Sequence, residues 1–464
     1  MPQLSLPILL RQQKHKAADT SNQSTAAARH SSSIERLPAE LRLQIIENLP
    51  AGDLRSIYNL AFAGPTFYHL ISEHEASLAE NVVVSAVGED AMPIAAALYE
   101  LEELGDKLPR TRSSTNYSPD EESWDRMFLI LGRHSHSHKW HTESRITKFS
   151  VAASYLKLDV VVGYWARKLA NRALKWAYSV VPRQKWRDDP ESKPGPNPKP
   201  TAAEMSRFRK ALYKYQLLSV ALPWNPPDIM EPIMTSYYCV LRRYKLYMSP
   251  WEYEQVRQVE LLLAGDQIDH CCLPYPAEHY SELYSFIFKQ GLVRLRVLDA
   301  LRPWPVRRAM LRRKWVLNQG QSAVRVPVLA GNFTPLDVEW DEDGNTTLHS
   351  STAFEEYSEE DDGPKVWWYY DFLKGFPAIR MKDDYDLTPA CRYCSFALGY
   401  LFWDFERLRK MARGKCPSIG DLVESTRGIP VTLDEYVHAL DDRVVILPTS
   451  KSCRLHVREA VSHR

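Results

Sequence analysis

Large aliphatic side chains recur every four residues in the stretch RLPAELRLQIIENLP, which covers residues 36–50. They are Leu37, Leu41, Ile45 and Leu49, and most positions between them carry charged or amide side chains. Because an α-helix brings residues four apart onto one face, this spacing predicts a helix with a single aliphatic stripe. Pro38 suits the first turn of such a helix, where an amide donor is not needed.

Two more short helices are predicted directly after this stretch. Pro50 and Gly52 end the first helix, and Asp53 is a capping residue for a second helix in LRSIYNLAFA. Gly64 and Pro65 then interrupt the chain before a third apolar segment, TFYHLISEH. Three helices in about forty residues are at the size limit for independent folding, so a partner or the rest of the chain must cover some of the aliphatic side chains.

The segment LPAELRLQIIENLPAGDLRSIYNLAFAGPTFYHLI resembles an F-box, the helical motif with which substrate receptors bind the Skp adaptor of cullin–RING ubiquitin ligases. The resemblance implies that the Leu-Pro step and the first helix contact the adaptor, while later helices pack behind them. The implied adaptor-binding residues are Leu37, Pro38, Leu41, Ile45, Leu49 and Leu54. Phe67 and Tyr68 stand where the family usually has a tryptophan.

The remainder of the chain is typical of a large helical body. Residues 207–218 and 397–411 are similar to segments of large fungal F-box proteins with helical, mostly uncharacterised bodies. We therefore expect a mainly α protein with a disordered leader over 1–33 and a three-helix Skp-docking domain over 34–75. An irregular all-helical body with long loops, the expected substrate-recognition region, would then occupy 76–464. Leucine-rich, WD and kelch periodicities are not present in the sequence.

Proline, glycine and capping patterns predict the boundaries within this body. A helix break is expected near Pro93, and a long helix from about 144 to 180. The buried face predicted for that long helix comprises Phe149, Ala153, Leu156, Val160 and Tyr164.

Further along the chain, Ser249 and Glu252 form a capping box that begins a helix expected to end at Gly265. A last continuous helix is predicted over residues 390–414. The proline-rich segment 181–202 and the acidic segment 335–365 are predicted to be exposed loops.

Composition and charge exclude several classes of protein. A formal net charge of +1 over 464 residues gives no general attraction to nucleic acid or acidic membranes. Seven cysteines, an odd number, indicate a reducing compartment, so a cytoplasmic and/or nuclear location is expected. The chain lacks an uncharged apolar run of about 18 residues, which argues against a membrane span. The N-terminal MPQLSLPILL is interrupted by prolines, which argues against a secretory signal.

Three further clusters have both a structural and a functional interpretation. The histidines of 134–141 can bind a divalent metal weakly, but the lack of nearby cysteine or carboxylate ligands favours a solvated loop. Cys391 and Cys394 form a single CxxC, which favours buried thiols over a zinc site. The basic, tryptophan-containing stretch 302–315 can contact nucleic acid, although its spacing is also typical of a solvated helix face.

Motifs for phosphate loops, dinucleotide binding and nucleophile elbows do not occur, so we expect a non-catalytic protein without metal or cofactor. The F-box resemblance implies a substrate receptor of an SCF-type ubiquitin ligase, with the Skp adaptor, a cullin and an unknown protein substrate as partners. A ligase-independent helical scaffold is the alternative. A nucleic-acid-associated protein that uses residues 302–315 is a more distant one, and no membrane partner is expected.

Overall fold

The computed structural model describes the following residues: 34, 36–49, 54–107, 126–127, 129–131, 146–180, 198–221, 248–271, 280–300, 336–340, 346–350, 361–374, 398–412, 415–426 and 430–431. Within them the fold is mainly α, as the sequence predicts. The chain divides into two compact units. The first unit comprises Met1–Met92 and Lys139–Val160, and the second comprises Pro93–His138 and Val161–Arg464. The expected leader, 1–33, lies outside the described residues.

Four short helices begin the first unit. They are α1 (Ala39–Glu47), α2 (Leu54–Ala63), α3 (Pro65–Glu73) and α4 (Glu75–Val87). Gly64, with an extended backbone, precedes Pro65 at the first position of α3, so the chain breaks where the sequence predicts. The expected cap Asp53 lies outside the described residues.

The core of the first unit extends beyond the predicted boundary at residue 75. Leu78, Ala79 and Val83 of α4 are almost completely buried. The long helix α6 (Phe149–Val180) begins in this unit, where the Phe149 amide donates to Glu75 Oε1 at 3.0 Å. The Phe149 ring also meets the ring of Tyr58 edge to face, with centroids 5.7 Å apart. The three predicted helices therefore share their core with α4 and the first turns of α6.

The second unit is built from longer helices around an aromatic core. Its helices are α5 (Met92–Lys107, starting at the unit boundary), the rest of α6, α7 (Ala202–Ala221), α8 (Pro250–Cys271), α9 (Tyr280–Ala300), α10 (Gly363–Leu373), α11 (Phe405–Met411) and α12 (Ile419–Thr426). Helices α7, α8 and α9 pack against one another, and α10 packs against α8. The largest fully buried side chains include Trp165, Trp251, Trp367, Trp403 and Phe208.

The predicted capping box at the start of α8 is confirmed. The Ser249 amide donates to Glu252 Oε2 at 2.9 Å, and the Glu252 amide donates to Ser249 Oγ at 3.2 Å. The predicted end at Gly265 is wrong, because α8 continues to Cys271. Almost all residues from 251 to 263 of α8 are buried inside the unit. Because so many side chains of α8 pack against other helices, this packing outweighs the low helix propensity of one glycine.

Three other helix predictions are corrected by the structure. The break expected near Pro93 falls at Gly88, whose φ of 88° suits glycine, and Pro93 lies in the first turn of α5. On α6, Val160 is 56% exposed, whereas Ala152 and Tyr155 are buried. The buried face of this helix therefore lies about one residue before the predicted one. The continuous helix expected over 390–414 is wrong in its described part, because residues 398–404 are not α-helical: Gly399 has φ 67°, and α11 begins only at Phe405.

A small antiparallel sheet accompanies the helices. Its strands are β1 (Leu336–Trp340), β2 (Thr346–Ser350) and β3 (Pro430–Val431), in the order β1-β2-β3. Val338 pairs with Leu348 across the first two strands, and Thr346 pairs with Val431 across the last two. The segment 335–365, predicted to be a loop, therefore contains two strands and the start of α10. The loop predicted at 181–202 is described only from residue 198, where three residues of irregular chain precede α7.

Candidate interaction surface

Helix α1 has aliphatic side chains on two different faces. Ile46 is 1% exposed and packs into the first unit, whereas its neighbour Ile45 is 39% exposed and Leu41, one turn earlier, is 45% exposed. Successive residues of a helix are about 100° apart, so one face builds the core while the other displays aliphatic surface. We call the exposed residues Pro38, Leu41 and Ile45, together with Leu37 and Leu49 at the two ends of α1, the docking ridge.

The structure places the remaining predicted contact residues around this pair. Pro38 is exposed and immediately precedes α1, and its carbonyl accepts the Arg42 amide at 3.1 Å. Leu37 and Leu49, at the two ends of α1, are half-buried. Leu54 is only 9% exposed, so it is a packing residue of α2 rather than part of the exposed surface.

The end of α1 is defined by a side chain that the sequence reasoning did not single out. The Asn48 amide group and the Asn48 backbone N–H both donate to the Gln44 carbonyl, at 2.7 and 3.0 Å. These bonds satisfy a carbonyl that the end of a helix leaves without an intrahelical partner. The last turn of α1, which carries Ile45, is therefore held in a defined conformation.

Besides Val160, two further large apolar side chains of the first unit are exposed. Ile34 is 46% exposed and its carbonyl accepts the Leu37 amide at 3.2 Å, while Phe62 on α2 is 43% exposed. Sequence reasoning missed both. For Phe62 a signal was available, because it lies outside the stripe of Leu54, Ile57 and Ala61 that α2 buries.

The second unit contains a polar cluster in its interior, on α8. Arg257 Nη1 donates to Glu254 Oε1 at 2.6 Å, and both side chains are nearly inaccessible to solvent. Glu254 Oε2, Glu260 Oε2 and both polar atoms of the Gln258 side chain are buried without a hydrogen-bond partner. Burial raises the pKa of the Glu260 carboxyl to about 7, and the positive charge of Arg257 offsets part of that rise.

A second polar network of this unit is built from paired charges. Lys168 Nζ donates to Asp266 Oδ2 at 2.7 Å and to Asp299 Oδ1 at 2.9 Å, and Arg172 also contacts Asp266. Tyr164 donates its hydroxyl to Asp299, and burial together with this carboxylate raises the pKa of Tyr164 to about 12. These contacts join α6, α8 and α9, so the network holds helices together.

Candidate metal ligands were sought among the residues that the structure describes. Among those residues, no group of three or more His, Cys, Asp and Glu side chains is placed to hold a metal ion. The histidines of 134–141, the pair Cys391 and Cys394, and the basic stretch 302–315 lie outside the described residues.

Within the same described set, a single helix long and apolar enough to cross a membrane is not found, although Glu75–Val87 and Glu89–Leu104 satisfy that test as a bent pair.

Comparison with known proteins gives no match: no protein-family model, curated protein or solved structure is similar to this chain. The comparisons therefore assign neither a family nor a function. The geometry of the docking ridge and the motif in residues 37–71 remain the basis for a functional interpretation.

Proposed function

We propose that this protein is an F-box substrate receptor of a cullin–RING ubiquitin ligase, which binds a Skp-type adaptor through the docking ridge. The observation that carries the proposal is the exposure of Leu41 and Ile45 on a helix whose Ile46 already serves the core. The ridge is thus displayed on a helix that the first unit anchors from the opposite side.

The energetics favour a partner for this ridge. Fully burying a leucine or isoleucine side chain stabilises a protein by about 1.5–3 kcal/mol. Leu41 and Ile45 keep 45% and 39% of their accessible surface, so covering both would contribute ~2 kcal/mol to binding. Half-buried Leu37 and Leu49 at the ends of α1 would extend the covered area.

In this proposal the chain supplies no catalytic residue. The second unit holds a protein substrate near a ubiquitin carrier that other subunits provide, so its contribution to the reaction is proximity. A cytoplasmic or nuclear location would bring the chain together with such a ligase.

The direct test is binding of the full chain to a purified Skp-type adaptor, followed by capture of a cullin. The variant combines Leu41→Asp and Ile45→Asp, which place charges on the ridge without touching the core residue Ile46. We expect this variant to lose both the adaptor and the cullin. A matched control combines Val293→Asp and Val297→Asp, which put the same two charges on valines that are 45% and 60% exposed on α9, and it should bind as the unmodified chain does.

The results separate the proposal from its alternative. If the unmodified chain does not bind the adaptor, the F-box proposal is wrong. If it binds the adaptor and never a cullin, the protein is better described as a ligase-independent scaffold. Proximity labelling in cells with the intact chain and with the ridge variant would then identify proteins that depend on the ridge.

A further inference from the structure

Basic side chains of α6 and α9 lie side by side in the second unit. Lys168 Nζ of α6 contacts Asp299 of α9 at 2.9 Å, and the guanidinium of Arg296 on α9 lies over the Tyr164 ring of α6, 5.2 Å from its centroid. These contacts hold the two helices together, so the basic residues of both line one surface. We call this set the basic face: Arg167, Lys168, Arg172 and Lys175 of α6, with Arg294 and Arg296 of α9.

The basic face has more cations than carboxylates. Asp266 and Asp299 lie beneath it, are only 3% and 8% exposed, and are both bound by Lys168. The sequence of α6 from residue 160 to 180 contains no aspartate or glutamate. Three members of the face are exposed and form no ion pair with any residue that the structure describes: Arg167, Lys175 and Arg294. The excess of positive charge therefore favours an anionic partner.

Two valines give the same surface an apolar strip. Val293 and Val297 lie one helical turn apart on α9 and are 45% and 60% exposed. Because successive residues of a helix are about 100° apart, Arg294 and Arg296 lie on opposite sides of this strip. An apolar centre with polar residues around it is the usual arrangement of a protein–protein interface.

We propose that the basic face binds an acidic segment of a partner protein, in which aspartates or glutamates stand beside aliphatic residues. The carboxylates would pair with the arginines, whose guanidinium groups bind a carboxylate with two hydrogen bonds, while the aliphatic side chains cover Val293 and Val297. The interpretation of this segment as part of a ubiquitination substrate rests on the proposed function. Single-stranded nucleic acid fits less well because its bases stack on open aromatic rings. Here Trp165 is buried and the Tyr164 ring is covered by Arg296.

The test is selection of peptides from a randomised display library on the full chain, followed by the affinity of the most enriched peptide at low and high salt. We expect enriched peptides to contain acidic residues next to leucine, isoleucine or valine. Arg167→Glu combined with Arg294→Glu should weaken binding about tenfold at low salt and less at high salt. The matched control reverses two charges on exposed residues of the first unit, Arg55→Glu with Lys157→Glu, and should bind as the unmodified chain does.

A second variant tests the apolar strip. Val293→Asp with Val297→Asp should lose the peptide and keep the adaptor, whereas the docking-ridge variant Leu41→Asp with Ile45→Asp should lose the adaptor and keep the peptide. Lys168 is left unchanged because it binds the buried carboxylates Asp266 and Asp299. A thermal midpoint equal to that of the unmodified chain shows that a variant is folded.

Several results would overturn the inference. They are the absence of enriched peptides, enriched peptides without an excess of acidic residues, or folded variants of the basic face that bind the peptide as well as the unmodified chain does. Tighter binding of a single-stranded DNA oligonucleotide, lost in the charge-reversal variant, would make the face a nucleic-acid site instead. If the adaptor binds and acidic peptides do not, this inference fails and the proposed function stands. If peptides bind through the basic face and the adaptor does not bind, the face is established and the F-box proposal fails.

Discussion

Arg407 binds the carboxylate of Glu204 with two nitrogens, although 203 residues separate them in the chain. Nε lies 2.5 Å from Oε1 and Nη2 lies 2.8 Å from Oε2, and Glu204 is completely buried. The same carboxylate also accepts the backbone amides of Thr201 and Asp404. The pair therefore joins the beginning of α7 to α11 and satisfies a charge that would otherwise be buried alone.

Replacing Arg407 with methionine should destabilise the second unit by roughly 3–5 kcal/mol, because Glu204 would remain buried without a counter-ion. Urea denaturation measures the loss. The matched control is Arg409→Met, since Arg409 and its partner Glu406 are both largely exposed, and an exposed pair contributes about 0–1 kcal/mol. Similar losses for the two variants would contradict the structure. Adding Glu204→Gln to Arg407→Met should recover part of the stability.

The stability of the second unit should decrease as pH rises from about 4.5 to 7, because of Glu260. Burial raises the pKa of this carboxyl from 4.5 to about 7, so the folded chain binds the proton more tightly than the unfolded chain does. The resulting stabilisation is fully present below pH 4.5 and is lost as pH rises through 7. The difference between the two pKa values corresponds to at most about 3 kcal/mol.

The variant Glu260→Gln should flatten that part of the pH profile and raise stability at pH 8. Glu252→Gln is a comparison variant at a carboxyl whose pKa is shifted in the opposite direction. Burial alone would raise the pKa of Glu252, but the ammonium groups of Lys210 and Lys214, at 2.7 and 2.8 Å, hold it well below its ordinary value. Its contribution is present above pH 4.5 and is lost in acid, so this variant should be destabilised at neutral pH. An unchanged profile for Glu260→Gln would refute the role given to Glu260.

Two glycines of the second unit should respond to alanine in opposite directions. Gly291 interrupts α9 with φ 61°, and an added Cβ would lie 2.8 Å from Ser219 Oγ and 2.9 Å from Gln216 Oε1. Gly291→Ala should therefore cost about 2 kcal/mol or more. Gly163, inside α6, has nothing within 4 Å of an added Cβ, so Gly163→Ala should stabilise by about 0.5–1 kcal/mol. Thermal denaturation compares them, and equal effects would contradict the conformation at Gly291.

Substitutions on the two faces of α1 should differ in how much they destabilise the protein. Ile46→Ala removes a side chain that is 1% exposed and should cost about 2–5 kcal/mol, whereas Leu41→Ala alters a 45% exposed side chain and should cost less than ~1 kcal/mol. Hydrogen exchange of the amides in α1 to α4 measures both effects within the first unit. If Leu41→Ala opened these helices as strongly as Ile46→Ala, Leu41 would belong to the core and no docking ridge would exist.

Features that depend on neighbouring residues were predictable. The helix after Pro38, the interruption at Gly64 and the capping box of Ser249 with Glu252 all appear where the sequence places them. Each depends on contacts within a few residues, so the local chain contains the information. The exposed pair Leu41 and Ile45 was likewise indicated by spacing, although spacing did not say which face of α1 would be buried.

Features that depend on distant residues were not predictable. Gly265 was expected to end α8 because glycine is a common helix terminator, yet the surrounding helices bury α8 and keep it intact. The half-buried state of Arg42 and its unpaired nitrogens also follow from packing that no local pattern encodes.

The amino-acid sequence by itself determined the mainly helical class, the starts of α1, α3 and α8, and the presence of an aliphatic stripe near residue 41. The tertiary structure decided that Ile46 rather than Ile45 enters the core, that Glu204 meets Arg407, and that residues 398–404 are not α-helical. The physical reason is range: backbone hydrogen bonds and caps act within one or two turns. The choice of buried face and of ion-pair partners depends on which distant surfaces the folded chain brings together.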